Sequence, residues 1–147
     1  MNGILTLSIA CVGGMYLTEE YRCVLEVPVD STLADLASFV LGIADFDGDH
    51  LDDFYLANST RGKKTWFTAD GKWDPDDSAM WELCLSKIFP LPKPKKLYYL
   101  YDFGNSWCFE ITKKGKETIA HRDVEYPCIV EEIGRRPKQY GPELDET

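Results

Sequence analysis

Imidazole is scarce in this chain. His50 and His121 are its only histidines, which excludes a His-rich metal site. The five cysteines, Cys11, Cys23, Cys84, Cys108 and Cys128, never form a Cys-x-x-Cys pair, and their number is odd. Such wide spacings do not suit zinc, and a secreted disulfide framework favours an even count. Reduced, mostly buried thiols in a cytoplasmic protein are the simplest account. No apolar run approaches the roughly 20 residues that a membrane span requires. No Lys or Arg precedes Arg22, and Ser8 stands where a lipoprotein signal would carry an aliphatic residue three before Cys11. Residues 4–12 are therefore expected to be a first strand, not an export signal. There is no phosphate-binding glycine loop, no nucleophile paired with a base and no internal repeat. No catalytic residue, metal or cofactor is implied.

What is present is aromatic and acidic. Aromatic residues make up 13% of the 147 residues and hydrophobic ones 44%, enough for one self-sufficient core. The formal net charge is −9, and it is uneven. Residues 1–90 hold 6 Lys/Arg against 15 Asp/Glu, while residues 91–147 hold 10 against 10. An acidic chain is a poor nucleic-acid ligand overall, because duplex affinity comes largely from neutralised phosphates. A local basic face remains open: Lys93, Lys95, Lys96, Lys113, Lys114 and Lys116 flank the most aromatic stretch. The bland reading of these lysines is solvated strand ends that discourage edge pairing.

That stretch, residues 97–112, reads as one β-hairpin. Gly104-Asn105 suits a two-residue turn, and such a turn fixes the register. It sets Asp102 opposite Trp107, Leu100 opposite Phe109 and Tyr98 opposite Ile111 on an inward face. Phe103 then faces Ser106, Tyr101 faces Cys108 and Tyr99 faces Glu110 on the other. One carboxylate on an apolar face must find donors or stay protonated. Asp102 and Trp107, with Tyr101, Asn105 and His50, are therefore the candidate site, functional or simply a satisfied polar core.

The rest of the chain fills in around it. Strands are expected at 3–12 and 21–28, paired antiparallel. Asp30 or Ser31 would cap a helix over roughly 32–42, stopped by Gly42. Five aspartates in residues 45–53 suggest calcium, but His50 and Leu56 occupy the positions where a calcium loop wants Gly and Glu. An exposed acidic loop anchored by Phe46 and Leu51 is the alternative. Short strands follow at 54–56 and 65–68, and a helix at about 78–89 with Met80, Trp81, Cys84, Leu85 and Ile88 as its apolar stripe. Residues 90–96 read as a stiff linker rather than a nuclear-import run or proline-motif ligand. Further strands are expected near 117–122 and at 128–130. Residues 1–134 thus form a single α+β domain and 135–147 a polar, flexible tail. The fold class is a mostly antiparallel sheet with two main helices, whose opening strand-hairpin-strand-helix order resembles a β-grasp.

Two motifs resemble the plasmid open-reading-frame-three-like family, whose members also occur as passengers of insertion elements. The first is Arg22, Val27-Pro28 and Thr32-Leu33 with Leu36, continuing through Asp47, His50-Leu51 and Phe54. The second is Tyr101-Asp102-Phe103-Gly104-Asn105 with Trp107, then Ile111 and Tyr126-Pro127. Together they span about residues 20–135. The family usually carries Trp-x-His-x-Ile where this chain has Trp107-Cys108-Phe109-Glu110-Ile111, so Phe109 removes an imidazole from the face assigned to Asp102. The family also tends to end in Pro-Pro-Glu-Asp followed by Gly-Gly, replaced here by Arg135-Arg136-Pro137-Lys138. The resemblance implies no established activity.

Three functions are compatible with these residues. The leading one is a non-enzymatic binding or interaction module, its partner unidentified, with a protein as one candidate. A second is an accessory factor for mobile-element DNA, implied by the family's company and requiring lysines 93–96 and 113–116 and residues 135–138 on one surface. A third is an enzyme using Asp102 as an acid with His50 or His121 folded beside it.

Overall fold

The computed structural model describes residues 3–14, 17, 19–44, 46, 52–66, 82–102 and 106–137. Gly3–Gly13 (β1) and Tyr21–Pro28 (β2) pair antiparallel, from Ile4 opposite Pro28 to Cys11 opposite Tyr21. Leu5, Leu7, Ile9 and Cys11 share one face of this pair with Tyr21, Cys23, Leu25 and Val27, all in the main core cluster. Period-two alternation puts them there.

Leu33–Ala44 (α1) packs into the same cluster through Leu33, Leu36, Ala37, Val40, Ile43 and Ala44. Its start is a reciprocal box. The Asp35 backbone N–H donates to Thr32 Oγ1 at 3.1 Å, and the Thr32 N–H donates to Asp35 Oδ2 at 3.0 Å. Two free N–H groups are satisfied together. Thr32 is thus the cap, not Asp30 or Ser31. Gly42 does not stop the helix either, because Ile43 and Ala44 extend its buried stripe by two residues.

The remaining strands are Asp52–Ala57 (β3), Thr65–Trp66 (β4), Lys96–Tyr101 (β5), Trp107–Lys113 (β6), Thr118–Ile119 (β7) and Cys128–Ile133 (β8). Seven of the strands lie in the order β4-β3-β5-β6-β1-β2-β8, and β7 pairs with the start of β1. Every pairing is antiparallel. The class is α+β, with one main helix among the described residues. The likeness to a β-grasp extends no further than the opening order of elements. Over 82–89 the chain carries a 3-10 turn at Leu85–Lys87, not the second half of an α-helix. Backbone bonds to the residues before α1 hold it: Leu85 N–H to the Ser31 carbonyl at 2.7 Å and Ser86 N–H to the Val29 carbonyl at 3.0 Å. Residues 78–81 lie outside the described ones. No helix among the described residues is long and apolar enough to cross a membrane.

The central hairpin forms, but one residue out of the expected register. Tyr101 pairs with Trp107, Tyr99 with Phe109 and Leu97 with Ile111. Five residues, 102–106, therefore close it instead of two. Asp102 and Ser106 take positive φ, +58° and +56°, and the Ser106 N–H donates to the Asp102 carbonyl at 2.6 Å. A one-residue slip moves a whole strand's side chains to the other face. Trp107, Phe109 and Ile111 do face the helix, but their β5 companions are Leu97, Tyr99 and Tyr101. Tyr98 joins Tyr55, Ala57 and Cys108 in a second cluster. There the Tyr98 hydroxyl donates to Glu110 Oε2 at 2.9 Å, and the Tyr55 and Tyr98 rings stack at 5.0 Å.

Candidate functional site

Antiparallel register decides which turns share an end of the sheet. Ala57 pairs with Lys96, Lys113 with Leu7, Ile4 with Pro28 and Glu26 with Cys128. One end therefore gathers the close of β3, the start of β5, the close of β6 and the approach to β8. Arg61, Lys63 and Lys64 follow β3. Lys93, Lys95 and Lys96 lead into β5. Lys113, Lys114 and Lys116 close β6, and Arg122 precedes β8. That is ten of the sixteen Lys and Arg in the sequence. Four carboxylates, Asp30, Glu117, Asp123 and Glu125, share these turns.

Pairing separates the two ends more sharply than the count does. Among the ten, and counting only partners among the described residues, Lys96 alone has an ion pair, with Glu110 at 3.6 Å. Lys64 lies 5.3 Å from the centre of the Tyr55 ring and donates to the Thr60 carbonyl. At the opposite end the cations are neutralised: Arg22 by Glu20 at 2.9 Å, Arg135 by Glu19 at 3.8 Å and Arg136 by Glu132 at 2.8 Å. Unpaired, solvated charges in one place add their fields. The six lysines singled out from the sequence lie in turns at one end of the sheet, whereas Arg135 and Arg136 belong to the other end. Arg61, Lys63, Lys64 and Arg122 were missed, because only the strand register brings them alongside.

That opposite end also holds Asp102. Its residue is 8% exposed and lies past the end of β5, not on the strand's inward face. Tyr101 and Trp107 are fully buried, each ring packed on Phe46, at centroid distances of 5.6 Å and 5.1 Å. Asn105 and His50 lie outside the described residues. His121 sits at the lysine end, the length of β5 away from Asp102, or about 20 Å at a strand's rise. Asp102 and His121 therefore do not form a pair.

The acid that does lie among the inward rings is Asp52. The Tyr99 hydroxyl donates to its Oδ2 at 2.5 Å. Burial pushes the Asp52 carboxyl above its ordinary range, the Tyr99 bond pulls it back, and neighbouring Asp53 raises it again. Burial, and then the Asp52 charge, raise Tyr99 in turn. Asp53 is itself buried at 1% exposure, with Oδ1 accepting the Phe54 N–H at 2.8 Å. Sequence reading placed both aspartates in an exposed loop. No group of His, Cys, Asp and Glu able to hold a metal occurs among the described residues.

The family model described as plasmid pRiA4b ORF-3-like protein matches residues 21–139. The chain belongs to the plasmid pRiA4b ORF-3-like family. The match runs from the start of β2 past the end of β8, so it takes in both ends of the sheet. A crystal structure of a protein of unknown function from Methanosarcina mazei Go1, MM3350, superposes with a TM-score of 0.67 at 23% identity. The match covers 90% of this chain and 70% of that one. At that identity it establishes a shared fold. No curated protein matches the chain. For this member of the pRiA4b ORF-3-like family, the geometry therefore offers two places to look: an aromatic end with buried acids, and an end rich in cations that no described carboxylate pairs.

Proposed function

We propose that this protein is a non-enzymatic binding module whose lysine-rich end docks on the phosphate backbone of DNA. The observation that carries this reading is the segregation of free from neutralised cations. A polyanion would meet cations that no internal carboxylate already occupies. The net charge of −9 concealed this, because the acids belong mostly to other parts of the chain. An enzyme built on Asp102 has less support: Asp102 sits apart from His121, in a turn whose neighbouring rings are fully buried.

The test is fluorescence anisotropy of a labelled duplex against salt. Each phosphate neutralised contributes about −0.9 to the slope of log K against log[salt]. With about four contacts, raising salt from about 50 to about 200 mM weakens binding about 150-fold. Replacing Lys113, Lys114 and Lys116 with Gln lowers that slope by about 2.7. Replacing Arg22 leaves it unchanged, because Glu20 already neutralises that guanidinium. Absence of binding at low salt, or a slope indifferent to the three lysines, refutes the reading.

A further inference from the structure

The loop between β7 and β8 closes a cleft of about 460 Å³ against the start of β1 and the end of β2. Small-molecule sites occupy about 300–1,000 Å³. Ile4, Pro28 and Val124 give the cleft an apolar side, and Asp30, His121 and Arg122 give it ionisable groups. The loop braces itself. The His121 backbone N–H donates to the Tyr126 hydroxyl at 3.0 Å, and the Val124 N–H donates to the His121 carbonyl at 3.2 Å. Those bonds use backbone groups and leave the guanidinium and imidazole uncommitted. Asp30 and Arg122 line the same cleft, yet neither is in an ion pair among the described residues.

A cleft with one free guanidinium, one free carboxylate and an apolar wall selects its ligand by chemistry. The guanidinium offers a planar fork that matches phosphate oxygens. The turn before β7 carries Lys114 and Lys116 but also sets Glu117 against Gly3, so the phosphate is selected by the Arg122 fork and not by the net field of that turn. The carboxylate repels a simple polyanion but accepts from hydroxyl and amine donors. A ligand that satisfies both needs a phosphate at one end, O–H or N–H donors at the other, and a flat apolar body to lie on Pro28 and Val124.

We propose that this cleft binds a nucleoside monophosphate, with its phosphate on Arg122 and its sugar or base donors on Asp30. The unit is either a free nucleotide or the 5′-phosphorylated end of a strand. The second source rests on the DNA-binding reading above, and the first stands without it.

Titrating ¹⁵N-labelled protein with adenosine monophosphate tests the cleft. Saturable amide shifts are expected at residues 3–4, 29–30 and 120–126, and Arg122→Gln, at an exposed residue, should weaken binding about tenfold or more, the scale of a lost charge-assisted bond. Anisotropy with a 5′-phosphorylated and a 5′-hydroxyl oligonucleotide separates the sources. Tighter binding of the phosphorylated strand, abolished by Arg122→Gln, assigns the strand end. Equal binding with a saturable nucleotide response assigns the free nucleotide. No saturable shift in residues 120–126 at about 10 mM nucleotide, or no effect of Arg122→Gln, overturns the proposal. Nucleotide binding without duplex binding removes the DNA reading and keeps the cleft. Duplex binding without nucleotide binding does the reverse.

Discussion

Gly14 is the position where one added methyl group tests the packing at the aromatic end. Its φ is +149°, and a Cβ there would lie 2.7 Å from Trp107 Cζ3 and 2.8 Å from Cδ2, closer still to Cε3. The ring cannot step aside, because Trp107 is fully buried and packs on Phe46. Overpacking of this kind costs about 1–3 kcal/mol. Holding a non-glycine residue at such a φ costs about 1–3 kcal/mol more. Gly14→Ala should therefore lose about 2–6 kcal/mol, centred on about 4, of a total that is about 5–15 for folded domains. For a chain of this size that is a fall in Tm of about 10 °C. Urea unfolding followed by tryptophan fluorescence and by far-UV circular dichroism measures it. Gly42→Ala is the internal control. A Cβ there meets nothing within 4 Å, in the last turn of α1, so the change should stabilise by up to about 0.5–1 kcal/mol. If the clash is with the ring, Gly14→Ala combined with Trp107→Leu should cost less than the sum of the two single changes, by about 1 kcal/mol or more. A Gly14→Ala protein within about 0.5 kcal/mol of the parent, or strict additivity with Trp107→Leu, refutes the reasoning.

Two further perturbations probe the buried acids and thiols. Because burial holds the Asp52 carboxyl above the ordinary range of an aspartate, about 4, the folded chain binds that proton more readily than the unfolded one. This group therefore detracts from stability increasingly as pH rises past that value, and most at neutral pH. Asp52→Asn keeps an oxygen for the Tyr99 hydroxyl, so its stability relative to the parent should improve between about pH 4 and pH 7. A pH-independent difference in denaturation midpoint contradicts this. Cys11, Cys23 and Cys108 are buried, and burial pushes the Cys11 thiol up to about 12. A thiol-exchange reagent should react with Cys84 first, with Cys128 more slowly because burial and Glu26 raise it, and with the other three upon unfolding. Fast modification of Cys11 in the native protein would show that β1 opens readily.

Alternation exposed β1, β2 and α1 to sequence reading, because each has one apolar face and one period. The central hairpin was legible as a hairpin but not in register. Residues 97–101 are Leu-Tyr-Tyr-Leu-Tyr, apolar at every position, so either register buries something greasy. Only the closing turn distinguishes the two, and Asp102 and Ser106 at positive φ make it a five-residue closure where Gly-Asn suggested two. The same ambiguity hid Asp52: the inward acid was expected opposite Trp107, when register gives that place to Tyr101 and supplies the acid from β3, where Asp52 pairs with Tyr101. The cap of α1 failed by one residue because three polar residues in a row precede the helix, and only the reciprocal bond to Asp35 selects Thr32. The lysines of the basic end were legible in part, since two of their clusters flank the hairpin. Arg61, Lys63, Lys64 and Arg122 arrive there through pairings that residue type does not encode.

β1 carries a consequence for how the molecule is made. It lies between β2, a few residues away in the chain, and β6, whose last residue, Lys113, comes 100 positions after the last of β1, Gly13. At about 5–20 residues per second, a ribosome needs about 5–20 s to deliver that second neighbour. Until then the nascent hairpin presents an apolar strand with an open flank, the template on which chains recruit one another. A transcript truncated before β6 should yield aggregates where the full-length message yields monodisperse protein.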